Sequence, residues 1–460
     1  MAPLALWLWS LALAALFWGA AALRHGLLQS NAYDLGLFDQ WAWLLAAGQP
    51  PISSMEGVHV LADHAAWLFP VIALPYRLLA SPQWLLASQA LALSLTAVPL
   101  WAVARQAGLA PRLAWLVCGL WWLQPVVFNA NLFDFHPEVW AMPALAGCFW
   151  ALRARRSGLW LALLLVVLGC RDGLALVVLG LGLGAALERR WRPALVAGGL
   201  GLGWLLLLSR WFYPWLRGEG PKAAAAAYGH LGGSVETIAL NLLTRPQLVL
   251  QQVSPVDALV YGLLLAVAVA PFWRRASLPT LASALPLVLS NLISSTSSQR
   301  TLIHHYNLPV AVIVVVAAVD GLAVAPPARL PWRRLAWAAL CWAALAKPWF
   351  FSGPYLERVA LVRPAAAAIA SISPREAVLT TSYLVPQLSR RQRIAFPRPE
   401  IATAALERFD VLLLHPDDPG WASDRPTQER LLEGARLAGW QCRPWGHQGL
   451  ELCRRPGEPG

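Results

Sequence analysis

Two carboxylates, Asp34 and Asp39, stand in Asn31-Ala32-Tyr33-Asp34-Leu35-Gly36-Leu37-Phe38-Asp39-Gln40, directly after the first apolar run of the chain. A carboxylate at such a boundary can take a proton from an acceptor hydroxyl or ligate a metal. Two solvated acids on a surface helix is the alternative that the residues alone leave open. Asp63-His64 opens a further apolar run, where it can cap a helix, shape a polar cavity or bind a divalent cation. A denser cluster is Asn129-Ala130-Asn131-Leu132-Phe133-Asp134-Phe135-His136-Pro137-Glu138. There Asp134, His136 and Glu138 could present two or three ligands to one cation, although the spacing matches no specific metal motif. A capped turn with Pro137 at a helix start is the competing account.

Arg171-Asp172 is either an internal ion pair or an arginine held in a cavity for a phosphate. Arg300, His304, His305 and Tyr306 precede another apolar run. Those side chains suit a lipid-linked phosphate or pyrophosphate. They equally suit anchoring in the headgroup zone.

The elements that must position these groups are membrane helices. Of 460 residues, 58% are hydrophobic and only 13% charged, against about 25% charged in ordinary soluble domains. Apolar stretches of about 20 residues recur along the chain, the pattern of a polytopic helical protein. The formal charge of +12 comes from short clusters such as Arg153-Ala154-Arg155-Arg156, Arg189-Arg190-Trp191-Arg192, Arg274-Arg275 and Arg333-Arg334. They lie between apolar runs, as cytoplasmic loops do under the positive-inside bias. No basic stripe on a folded face is visible, so nucleic acid is not an expected partner. The first run, Pro3 to Leu23, is longer than a signal-peptide core and reads as a signal anchor, with Ala20-Ala21-Ala22 as an alternative cleavage sequence.

Residues 24–82 read as an outer loop with helices lying on or dipping into the membrane surface. About eleven spans are expected, several shorter than a lone crossing needs. A pair of short helices should meet at Cys170-Arg171-Asp172-Gly173, because one continuous helix would carry Arg171 and Asp172 through lipid. With the N-terminus in the cytoplasm, this count puts the arginine clusters inside. It puts Asp34, Asp63, His136, Asp172, His304-His305 and the C-terminal region outside. Residues 1–351 then form the membrane domain and 352–460 a small soluble α/β domain. In the latter, residues 377–381, 394–396 and 411–414 read as strands and 427–439 as an amphipathic helix ending at Gly439. Residues 441–445 and 449–453 flank a Gly446-His447-Gln448-Gly449 turn. Symmetric pairing about that turn sets Cys442 opposite Cys453, at a separation that suits a disulfide; two unpaired cysteines is the alternative. Cys118, Cys148, Cys170 and Cys341 lie in apolar runs and pack as small hydrophobes.

The run Tyr33 to Gln40, Asp63-His64, Asn131 to Glu138 and His305-Tyr306-Asn307-Leu308-Pro309 resemble a bacterial membrane family known as domain of unknown function 2079. Ala377-Val378-Leu379-Thr380, Leu388-Ser389-Arg390-Arg391 and Phe396-Pro397 resemble its outer domain. That family is similar, more distantly, to the GT-C glycosyltransferases, which take a sugar from a polyprenyl-phosphate donor and carry a catalytic acid in the first outer loop. The resemblance implies a mainly α, GT-C-like polytopic fold with Asp34 as the acid and Asp39 as second choice. It further implies Arg171, Arg300 and His305 on the donor phosphate, and inverting transfer to an unspecified acceptor hydroxyl. One departure is Gly173, where relatives commonly carry a second acid after Asp172. A lipid-carrier flippase, or a non-catalytic scaffold, is the alternative from another functional class.

Overall fold

The computed structural model describes residues 2–218 and 227–456. Four helices among them are long and apolar enough to cross a membrane: Leu4–Gly26, Pro82–Gln106, Trp191–Arg217 and His305–Val324. Two further pairs, Pro111–Trp122 with Pro125–Leu132 and Arg275–Ala282 with Leu285–Ile293, bend by 45° and 60° and make six if each is one broken span. The remaining expected spans are shorter helices: Ala141–Arg153, Ser157–Cys170, Pro255–Ala266, Trp332–Leu345 and the run Asp172–Leu187. The bends fall where proline starts the next helix, at Pro125 and Pro286, because proline removes an N–H and clashes with the preceding turn.

His305–Val324 is the central strut. Its sequence Leu-Pro-Val-Ala-Val-Ile-Val-Val-Val-Ala-Ala-Val is apolar on every face and almost wholly enclosed, as a core helix must be. Close approach of neighbours needs small residues. At Gly180, a Cβ would lie 1.9 Å from the Ser283 carbonyl oxygen.

The two classes of polar motif lie at opposite helix ends. At one end, Arg153 Nη2 lies 2.8 Å from Asp320 Oδ1, while Arg190 and Arg112 donate to the carbonyls of Leu152 and Ala328. The other end carries Asp34, Glu138, Arg171 and His305. Helices Ala141–Arg153 and Leu308–Val324 each run from the second group to the first.

The first loop folds into a π-turn, Ala32–Gly36, continuing as helix Leu37–Ala46. Short turns Val60–His64, Phe69–Ile72 and Leu74–Arg77 follow, with Val71, Leu74 and Leu78 exposed. At the C-terminal end, strands β1 (Val378–Thr380), β2 (Ile394–Ala395), β3 (Val411–Leu414), β4 (Gln441–Trp445) and β5 (Leu450–Arg454) form one sheet in the order β2-β1-β3-β5-β4. β2, β1 and β3 are parallel; β5 and β4 are antiparallel additions. Cys442 pairs in register with Cys453, and their sulfurs are bonded. Helix Arg425–Leu437 is capped by Asp424, which accepts the Thr427 N–H at 2.8 Å, and is followed by Gly439 at φ 79°.

One face of the sheet shares a hydrophobic core with the first loop, in which Leu35, Phe38, Trp41 and Tyr76 pack with Val385, Leu388, Ile394 and Phe396. Gly36 allows this contact, since a Cβ there would lie 2.8 Å from Val385 Cγ1.

Candidate functional site

Asp34 sits in the π-turn that Asn31 opens by accepting the Ala32 N–H at 3.0 Å. Its side chain keeps 20% of its surface exposed. His136 Nε2 donates to Asp34 Oδ1 at 3.1 Å; among the described residues, Oδ2 of Asp34 has no hydrogen-bond partner. Burial alone would raise the Asp34 pKa. The His136 hydrogen bond and the positive fields of His136, His305 and Arg24 outweigh it, holding the carboxyl below the usual range.

The turn presenting His136 is fixed from both sides. Asp134 takes a left-handed backbone (φ 56°), a conformation aspartate tolerates better than most residues. Its Oδ1 accepts from Arg24 at 2.6 Å and its Oδ2 from the Asn31 N–H at 2.7 Å. Gln89 closes the turn, donating to the Asp134 carbonyl at 2.5 Å and accepting the His136 N–H at 3.1 Å. The first helix, the π-turn and the Phe133–Glu138 turn are thereby one bonded unit.

Beyond His136 the cluster continues. The His136 and His305 rings lie 3.8 Å apart between centroids. Glu138 Oε1 is 2.9 Å from His305 Nε2 and 2.5 Å from Arg171 Nη1. Burial opposes the Glu138 charge, but Arg171 and His305 hold its pKa well below the ordinary value. Tyr306 packs against His305 at 4.2 Å with the rings tilted by 44°, and lies under the Arg171 guanidinium; His304 meets Phe133 edge-on at 4.3 Å. Thus Asp34, His136, Glu138, Arg171, His304, His305 and Tyr306, separated widely in sequence, converge. Among the described residues, His136 Nδ1, His305 Nδ1 and Glu138 Oε2 are buried without a hydrogen-bond partner; buried polar atoms of this kind call for a water or a ligand.

Other sequence expectations are corrected. Asp39 lies outside the cluster, fully buried, with Oδ1 accepting from Tyr76 at 2.5 Å and Oδ2 from Ser389 at 2.6 Å. Oδ1 closes a bond within the first loop and Oδ2 ties that loop to the C-terminal domain, so both oxygens are already engaged. Arg171 and Asp172 do not pair with each other. Arg171 takes Glu138, while Asp172 accepts from the Gly173 N–H at 2.8 Å and from Tyr213 at 2.7 Å. The break at Arg171 is as expected, with the residue fully extended between two helices. The cap expected of Asp63-His64 belongs to His59, whose Nδ1 accepts the Leu61 N–H. Asp63 closes that turn, with His64 Nε2 at 3.0 Å and Arg217 Nη2 at 3.9 Å. Arg300 donates to the carbonyls of Asn291 and Ser294, capping the helix Leu285–Ile293.

Asp134 and Glu138 are drawn apart by Arg24 and Arg171, and no group of three His, Cys, Asp or Glu side chains among the described residues is placed to hold a metal. The sequence reading missed Arg24, Gln89, Tyr213 and Arg217. Gln89 carried a signal: a glutamine inside the apolar run Pro82–Gln106 is costly in a membrane helix unless it bonds.

In comparison with solved structures, the chain is similar to ArnT from Cupriavidus metallidurans in the apo state, with a TM-score of 0.51 and 14% identity over 95% of this chain and 97% of that one. It also matches the apo oligosaccharyltransferase of Archaeoglobus fulgidus (TM-score 0.45, 10% identity, 89% of this chain and 70% of that one). A third match is AglB from the same organism in complex with an inhibitory peptide and a dolichol-phosphate (TM-score 0.42, 11% identity, 97% and 74%). The first of these supports a GT-C-like membrane glycosyltransferase fold. No curated protein matches the sequence. Residues 24–452 match the family described as "Predicted membrane protein (DUF2079)", and the chain belongs to that family.

Proposed function

We propose that this protein is an inverting glycosyltransferase of the inner membrane, moving a sugar from a polyprenyl-phosphate carrier to an acceptor hydroxyl on the periplasmic face. The observation that carries this reading is the Asp34 carboxylate: one oxygen is fixed by His136, the other has no partner among the described residues, and the side chain is partly exposed. Asp34 Oδ2 takes the proton of the acceptor hydroxyl as that oxygen forms its bond to the anomeric carbon. The bond from that carbon to the phosphate oxygen breaks on the opposite face, and the polyprenyl phosphate leaves with the electron pair. Phosphate is a good leaving group near neutral pH, so one base suffices. His136 holds the base in line and keeps it ionised. Support for the lipid donor is the fold, shared with ArnT, and the polar cluster at one end of the bundle.

The test is sugar transfer in membrane vesicles given radiolabelled polyprenyl-phosphate sugars. Wild type is expected to label an acceptor and Asp34→Asn is not. Equal transfer by the variant removes Asp34 from the mechanism, and absence of transfer from every donor removes the enzymatic reading.

A further inference from the structure

A phosphate monoester or diester entering the cluster needs a cation whose charge is not already neutralised. The cations expected from sequence do not supply it. Arg171 is bound to the buried Glu138 and Arg300 caps a helix end. Arg24 is bound to Asp134, Arg217 lies beside Asp63, and Arg398 donates to the Tyr33 hydroxyl. Lys347 differs. Among the described residues it has no carboxylate within ion-pair distance, and its Nζ sits 4.3 Å from the centroid of the Phe350 ring. A ring face holds an ammonium in place without cancelling its charge.

The segment leading into Lys347 is held by Asn129. The Asn129 amide donates to the Leu302 carbonyl at 2.9 Å and to the Leu345 carbonyl at 3.1 Å. Two chain segments are thus clamped together, one leading into His304 and the other into Lys347. From His304 the contacts run through Phe133, whose ring lies parallel to His136 at 5.9 Å, and on to Asp34. Burial lowers the His304 pKa; Asp34 opposes that, and Lys347 adds to it, so His304 feels both charges. The same segment returns through Tyr355, which lies under the Arg24 guanidinium.

Resting on the transferase reading above, we propose that Lys347 is the residue that binds the phosphate group of the lipid donor, in place of Arg171, Arg300 and His305. The ligand chemistry is a phosphate monoanion or dianion. Lipid-linked and free phosphate share it.

The experiment is binding of a radiolabelled polyprenyl monophosphate to the detergent-solubilised full-length protein, with unlabelled polyprenol and inorganic phosphate as competitors. Loss of one charge-assisted contact corresponds to roughly 10- to 100-fold in affinity. Lys347→Ala and Lys347→Gln are expected to weaken binding by that factor, and Lys347→Arg to retain most of it. Unchanged binding in a folded Lys347→Gln protein overturns the assignment and leaves Asp34 as base untouched. Polyprenol competing as well as its phosphate also overturns it, as does a wild type that binds no label. Displacement by equimolar inorganic phosphate supports the Lys347 contact and assigns it to free phosphate. Lys347-dependent binding without sugar transfer from any donor supports the site while removing the transferase reading.

Discussion

Asp34 and Asp39 begin as equivalent acids in one decapeptide and end in opposite environments. Asp34 faces the membrane-helix cluster, partly exposed, with a histidine on one oxygen. Asp39 faces the C-terminal domain, sealed from solvent, with a tyrosine and a serine hydroxyl on its two oxygens. The cause is helical geometry. Five residues turn a helix through roughly 140° beyond a full revolution, so two acids at that spacing cannot face the same wall. The surroundings then sort the roles. A neighbouring histidine keeps Asp34 ionised, whereas burial with only hydroxyl contacts raises the Asp39 pKa despite the field of Arg390. The first is suited to accept a proton, and the second joins two layers of the protein.

Exchanging the two acids for amides should therefore split activity from stability. Asp34→Asn is expected to lower sugar transfer by about 10²- to 10⁴-fold, the usual contribution of a positioned base, with little change in the thermal midpoint in detergent. Asp39→Asn should keep transfer within a few-fold of wild type. If the two variants lose transfer equally, the contrast between them collapses.

A next-largest effect is expected inside the cluster. Arg171→Ala strands Glu138 in a nearly closed site with only His305 for a partner. Removing one member of a buried pair typically costs about 3–5 kcal/mol, seen as a large drop in thermal midpoint. Adding Glu138→Gln should recover much of it. A stable Arg171→Ala protein would mean that the guanidinium is not committed to Glu138 and is free for phosphate.

Much of this architecture is legible in the sequence. The sharing of one end of the bundle by Asp34, His136, Arg171 and His305 follows from counting apolar runs and placing the arginine clusters at the other end. The helix break at Arg171 follows from the cost of a charged pair in lipid, and the Cys442–Cys453 register from symmetry about the Gly446–Gly449 turn. Partner choice was not legible. Arg171 has Asp172 beside it in sequence yet bonds Glu138, because the extended backbone at 171 aims the two side chains apart and Tyr213 takes the aspartate. Nor could sequence reveal that Asp134 and Glu138, four residues apart, are pulled to different arginines. Lys347 escaped notice because nothing adjacent to it in sequence carries chemistry; Asn129 ties the segment before it to the one leading into His304.

The joint at Asp39 offers two smaller tests of the contrast with Asp34. Asp39→Ala leaves the Tyr76 hydroxyl buried without its acceptor and Ser389 with only the Pro386 carbonyl at 3.3 Å. Unsatisfied groups of this kind cost about 1–3 kcal/mol each, so this variant should melt earlier than Asp39→Asn, whose amide oxygen still accepts one of them.

The pH dependence gives the finest discrimination. A carboxyl whose folded pKa is raised above its unfolded value of 3.8 contributes stability that is fully present below that value and is lost as pH rises through the folded pKa. An amide in its place does not titrate. The midpoint of Asp39→Asn relative to wild type should accordingly move in the variant's favour between pH 4 and pH 8. The corresponding Asp34→Asn difference should move the other way at lower pH. Asp34 has a depressed pKa, so its contribution is present above about 4 and fades as acid titrates it below the usual carboxylate range. Melting curves of wild type and both variants at several pH values check the signs together. Parallel shifts in the two variants would show that the acids are solvated alike, as the decapeptide by itself allows.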